Sequence, residues 1–156
     1  MHRLEPMPEH ITVAFEKHGI KPSDVVLCAA TDLDRDGNFT EEWLVATRER
    51  ISFLCGETIG PPRMPRRVNH RAPDWHETGY REIALADMEE LKADTLNGNG
   101  ALIATVKGEP EILCRYSNTM TRKFDHVTRL VSKLMENKEL TDVDFSEEVY
   151  QPRSEE

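Results

Sequence analysis

The sequence predicts a mainly β chain with α: a bent antiparallel sheet or barrel of about seven strands, capped by a C-terminal amphipathic helix, with a short helix at the N-terminus. Three observations predict it. Short runs rich in aliphatic, β-branched and aromatic residues recur between turns rich in Asp, Asn and Gly. The densest example, DLDRDGNFTEEWLVATRERISFLCG over 32–56, reads as turn, strand, short polar break, strand. The period then changes once, after residue 117, from alternation to a helical stripe.

The elements follow in order. Over 8–18, Ile11, Ala14, Phe15 and His18 keep the i, i+3, i+4, i+7 spacing of a short helix. Pro8 suits its first turn and Gly19 a left-handed cap. Residues 25–30 open with two valines and form strand one. The turn 34–38 leads into strand two, 39–47, with Phe39, Trp43 and Val45 on one face and Leu44 and Ala46 on the other. Strand three is 51–55, with Ile51, Phe53 and Cys55 on one face. Residues 60–79 break the rhythm with Pro61, Pro62, Pro65 and Pro73, which central strands reject. They read as a long loop before strand four, 80–85. Strand five is 88–96, and 97–100 is a hairpin turn whose Asn and Gly tolerate positive φ. Strand six, 101–106, alternates Leu102, Ala104 and Val106; strand seven, 111–116, alternates Ile112, Cys114 and Tyr116. Over 118–138, Met120, Phe124, Val127, Leu130, Val131 and Leu134 form the helical stripe, with Arg122, Lys123, Arg129 and Lys133 off it. Ser117 or Asn118 is the expected N-cap. The domain organisation is thus an N-terminal extension, 1–23, a folded domain, 24–138, and an acidic linker or tail, 139–156.

Composition bounds the function. The 156 residues suit one domain with a sizeable core. A net charge of −9 repels nucleic acid and anionic membranes, so neither is an expected partner. No apolar run approaches the roughly 18 residues of a membrane-spanning helix, and MHRLEPMPEH lacks a signal-peptide core. The expected location is the cytoplasm, including the cytoplasmic part of an inner-membrane protein. Cys28, Cys55 and Cys114 sit singly in apolar runs, which argues for reduced, buried thiols rather than a disulfide framework or zinc site.

Seven short antiparallel strands closed by one amphipathic helix resembles the pleckstrin-homology-like plan. The motif order is similar to the soluble N-terminal segment of bacterial ABC transporters that fuse permease and ATPase. The residues carrying this are DLDRDGNFTEEWLVATRERISFL (32–54), YREIALADMEELKADTLNGNGALIATVKGEPEILCRYS (80–117) and TRKFDHVTRLVSKLMENKE (121–139). PH-like and GRAM-like domains also share the TxxR turn, here Thr47 to Arg50. The resemblance implies a non-catalytic regulatory or docking domain, with other domains of the same transporter or a protein partner as its contacts. These residues hold no GxxxxGK[ST] loop, so the resemblance places any ATPase outside them.

Three sets of residues stand out as candidate sites. Arg63, Arg66, Arg67 and Arg71 make a basic island able to grip phosphate or carboxylate bidentately, and Trp75 beside them is a candidate partner anchor. Asp32, Asp34, Asp36 and Gly37 match the first half of an EF-hand loop, with Phe39 at the apolar eighth place. The twelfth place, which needs Glu, is Trp43, so the calcium alternative recruits Glu42; the plainer reading is an Asx-type turn. Phosphoinositide-binding PH domains carry cations on the loop between strands one and two. Here 32–38 is anionic, so no such binding is expected there. A small enzyme with a pocket near 60–79 is the remaining alternative. It has no nucleophile elbow, and Glu41–Glu42 and Glu89–Glu90 point to opposite faces of their strands. No catalytic residue and no cofactor other than calcium is therefore expected.

Overall fold

The computed structural model describes residues 5–33, 39–58, 75–96, 98–141 and 144. Helix α1 (Glu9–Lys17) is followed by β1 (Leu27–Leu33), β2 (Phe39–Ala46), β3 (Arg50–Thr58), β4 (Trp75–Ala84), β5 (Met88–Leu96), β6 (Asn99–Val106), β7 (Glu109–Tyr116) and helix α2 (Thr121–Met135). All seven strands are antiparallel, in the order β4-β3-β2-β1-β7-β6-β5. This is the expected PH-like plan, mainly β with α, but the sheet is not closed: β4 and β5 are its edges. No helix among the described residues is long and apolar enough to cross a membrane.

The joint between β1 and β7 is short, with Leu33 opposite Arg115 as its registered pair. A four-strand and a three-strand half therefore meet at a narrow seam and fold over a common interior. That interior is filled by Leu27, Leu44, Phe53, Leu102 and Leu113 from the strands and by Phe124, Val127, Leu130 and Leu134 from α2. The other face of β1–β3 is also covered. Trp43, Val45 and Leu54 pack there against Ile11, Ala14 and Phe15 of α1. Strand two thus serves both layers, Leu44 and Ala46 inward, Trp43 and Val45 outward, as its alternation predicts.

A charged clip spans the seam. Glu42 is fully buried on the inward face of β2. Arg81 of β4 donates to its carboxylate at 2.9 Å and to the Leu113 carbonyl of β7 at 2.6 Å. Its guanidinium also lies 4.8 Å from the centre of the Phe53 ring. One side chain thereby ties β4 and β2 to β7 across the place where backbone pairing is thinnest.

The structure corrects four expectations. Strand β4 starts at Trp75, so 75–79 is strand rather than loop; the pairing with β3 continues past a bulge at Cys55/Gly56 that breaks the alternation. In β7 a bulge between Ile112 and Cys114 turns Leu113 inward beside Cys114, so Ile112 leaves the interior set. Lys123 is buried rather than off the stripe, because Glu5 from the N-terminal segment meets its ammonium at 2.8 Å. The same Glu5 oxygen accepts from the Ala30 N–H at 2.6 Å, fastening 5–8 to β1. Finally, the N-cap of α2 is Met120 rather than Ser117 or Asn118, because a 3₁₀ turn over Asn118–Met120 precedes the helix, and no side chain makes a capping bond at either start.

Helix α2 also buries His126, whose Nε2 lies 2.5 Å from the Asp144 carbonyl. A carbonyl only accepts, so Nε2 carries a hydrogen. Asp144 in turn accepts from Lys133 Nζ at 2.5 Å and the Thr141 N–H at 2.7 Å. Burial holds the His126 pKa below its ordinary value, more strongly than the Asp144 carbonyl raises it, and Arg129 lowers it further. A lowered pKa means the unfolded chain binds the proton first. Stability is therefore intact above the unfolded value of about 6.5 and falls as pH drops below it. His126→Gln keeps a donor and removes the titration. Denaturation midpoints at about pH 5.5 and about pH 7.5 should show a smaller acid-side loss in this variant than in the wild type. An equal loss would assign the acid sensitivity to other groups.

Candidate functional site: a groove between α1 and β4

Helix α1 is amphipathic with Ile11, Ala14 and Phe15 as its buried stripe. Docked on the sheet by that stripe, it runs beside the start of β4. Its C-terminal end is pinned there. The His18 ring stacks on Tyr80 at 3.6 Å between centroids and 1° between planes, and its Nε2 sits 2.8 Å from a Glu77 carboxylate oxygen. Tyr80 Oη donates to Glu82 at 2.8 Å and lies 3.2 Å from the Ser52 hydroxyl, and Arg50 grips Glu82 with two contacts of 3.1 Å. Burial, more than the Glu82 contact, pushes the Tyr80 pKa up to about 12, so its hydroxyl stays a neutral donor. Tyr80 and Arg50 both pull the Glu82 carboxyl below its usual range.

Between the two elements runs a groove of about 520 Å³. His10, Val13, Ala14 and Lys17 form one wall, Trp75 and Glu77 the other. Val13 is 43% exposed, the one exposed large hydrophobic among the described residues. The Trp75 ring lies across Gly56, where a Cβ would come within 1.9 Å of it, so glycine on β3 is what lets the indole lie flat on the strand. His10 meets the same ring at 5.6 Å. The indole Nε1 is buried and has no hydrogen-bond partner among the described residues. An unmade bond from a buried donor costs about 1–3 kcal/mol.

A second hollow, about 440 Å³, lies under the TxxR turn between Ile20, Asp24, Val26 and residues 47–50. Thr47 Oγ1 accepts the Glu49 and Arg50 N–H groups at 3.2 Å each, which shapes the turn. Its cations are already engaged: Arg48 reaches Glu139 at 2.9 Å and Arg50 holds Glu82.

The residues singled out in the sequence fare differently. Trp75 is an edge-strand residue packed on the α1 layer, not a loop residue. Arg63, Arg66, Arg67 and Arg71 lie outside the described residues, as do Asp34 and Asp36. Asp32 accepts the Ser117 N–H at 3.1 Å. Glu42 turns inward, where Arg81 meets its carboxylate at 2.9 Å, and Trp43 packs against α1. No three His, Cys, Asp or Glu side chains group around a metal position among the described residues. Reading residues one at a time did not reveal the α1 wall of the groove. Val13 was its one signal, an apolar residue off the buried stripe of α1. No protein-family model, no curated protein and no solved structure matches the chain.

Proposed function

We propose that this chain is a non-catalytic regulatory or docking domain that takes a segment of protein in the groove between α1 and β4. The observation that carries the reading is that exposed Val13 and Trp75, whose buried Nε1 has no hydrogen-bond partner among the described residues, line one cleft. A peptide offers both things the cleft lacks, an apolar side chain for Val13 and a backbone carbonyl for the indole. The resemblance to the N-terminal segment of fused ABC exporters supports a partner in the same polypeptide or complex. It also supports a cytoplasmic position at the inner membrane. Arg71 precedes Trp75 by four residues, so the arginines of 63–71 are covalently close to the groove and suit an acidic flank on the same partner.

Site-specific photocrosslinking tests this. A benzophenone residue at position 13, in the protein expressed at its native locus, should crosslink to one defined peptide outside residues 1–156. Trp75→Ala should abolish that adduct. Labelling no stronger than from a control position in the exposed turn at Lys107 would overturn the groove as a docking site. A reading frame that continues past Glu156 into hydrophobic spans and a phosphate loop would support the transporter context; a frame that stops there would remove it while leaving the groove reading intact.

A further inference from the structure

Strand β5 ends the sheet, and no described strand pairs with its outer side. Such an edge presents a row of N–H and C=O groups that templates another strand. The bulge at Glu89, between the Met88 and Glu90 pairs, interrupts the ladder, so the regular stretch is 90–96. On it Lys92 and Asp94 are exposed on one face, while Leu91 is buried and Ala93 half-buried on the other.

Edge lysines usually guard against edge-to-edge pairing. Here the neighbouring acids convert that guard into a choice of register. Consider β5 meeting a second copy antiparallel about a two-fold axis. An axis at Lys92 sets Lys92 against its own copy and Glu90 against Asp94, like charges throughout. An axis at Ala93, the midpoint of the regular stretch, gives full overlap of 90–96 with itself. It also places Lys92 opposite Asp94 twice, and sets the small Ala93 against its copy. The register with the greatest overlap is therefore the one whose charges attract, and moving the axis by one residue makes them repel.

We propose that β5 is a homodimer interface, pairing antiparallel with β5 of a second copy about a two-fold axis at Ala93, with Lys92 and Asp94 as the register-setting ion pairs. The interface is isologous, so the two sheets become one continuous sheet. It uses the edge opposite β4 and does not depend on the groove at α1.

Sedimentation of the chain from about 1 μM to about 1 mM should show a monomer–dimer equilibrium. Lys92→Asp and Asp94→Lys each set like charges opposite one another and should weaken it roughly tenfold. An equimolar mixture of the two variants should recover dimer, because the mixed pair sets opposite charges together at both contacts: position 92 of Lys92→Asp faces position 94 of Asp94→Lys, and the unchanged Asp94 of the first faces the unchanged Lys92 of the second. The double exchange K92D/D94K should recover it as well. Both positions are exposed, and unchanged far-UV circular dichroism checks that each variant folds. A wild-type monomer over the whole range, or single variants that dimerise as tightly as wild type, overturns the proposal.

Discussion

Arg81→Met should cost about 3–5 kcal/mol of stability, read as a lower urea midpoint. The variant leaves Glu42 fully buried without the cation that faces it at 2.9 Å. It also removes the bond to the Leu113 carbonyl and the stacking over Phe53. Converting both partners to Met should recover most of the loss, since a buried ion pair replaced by apolar groups of similar volume is often neutral. The recovery distinguishes two roles. If the pair merely fills space, the double variant matches wild type in every respect. If Arg81 holds the two sheet halves together, the double variant regains stability but exchanges amide hydrogens faster around Leu33 and Arg115, where the halves meet. A small effect of the single variant, under about 1 kcal/mol, would mean the interior admits water to Glu42.

Gly100→Ala is the second large effect, at about 2–3 kcal/mol. Gly100 lies opposite Tyr116 in the β6–β7 register, and a Cβ there would fall 2.1 Å from the tyrosine ring. The ring cannot retreat, because its far face stacks on Phe124 of α2 at 4.4 Å and 5°. A methyl group on β6 is thus transmitted through Tyr116 to the helix that closes the interior. Shrinking the obstructing ring should relieve the strain: the combined G100A and Y116L changes should cost less than the sum of the two alone. Strict additivity would show that the strand, not the ring, absorbs the added methyl.

Much of the fold was legible because local chemistry and tertiary structure agree over β2, β5, β6 and α2. Trp43, Leu44, Val45 and Ala46 alternate along the chain and end in two different layers, as a strand buried on both faces requires. The helical stripe from Phe124 to Leu134 faces the interior as its spacing dictates. Legibility failed where a bulge interrupts the count. Thr78 and Leu113 are each left without an opposite residue and displace the alternation by one, so β4 hides its first five residues and simple alternation puts Ile112 on the wrong face. It failed again at buried charge. Glu42 and Lys123 look like surface residues, and their partners lie 39 and 118 positions away.

The candidate site divides the same way. Trp75 stood out by its residue type alone, as a large aromatic among polar neighbours. The cleft it lines exists only because α1 docks on the outer face of the sheet.

The order of residues by itself determined which segments alternate, which spiral and where the chain must turn, because those preferences act between near neighbours. Only the tertiary structure decided which charges go inside, which glycine lies beneath an aromatic ring and which two elements form a groove. Those outcomes depend on surfaces brought together from distant positions, and the energy of a buried carboxylate or a buried indole is undefined until its surroundings are in place.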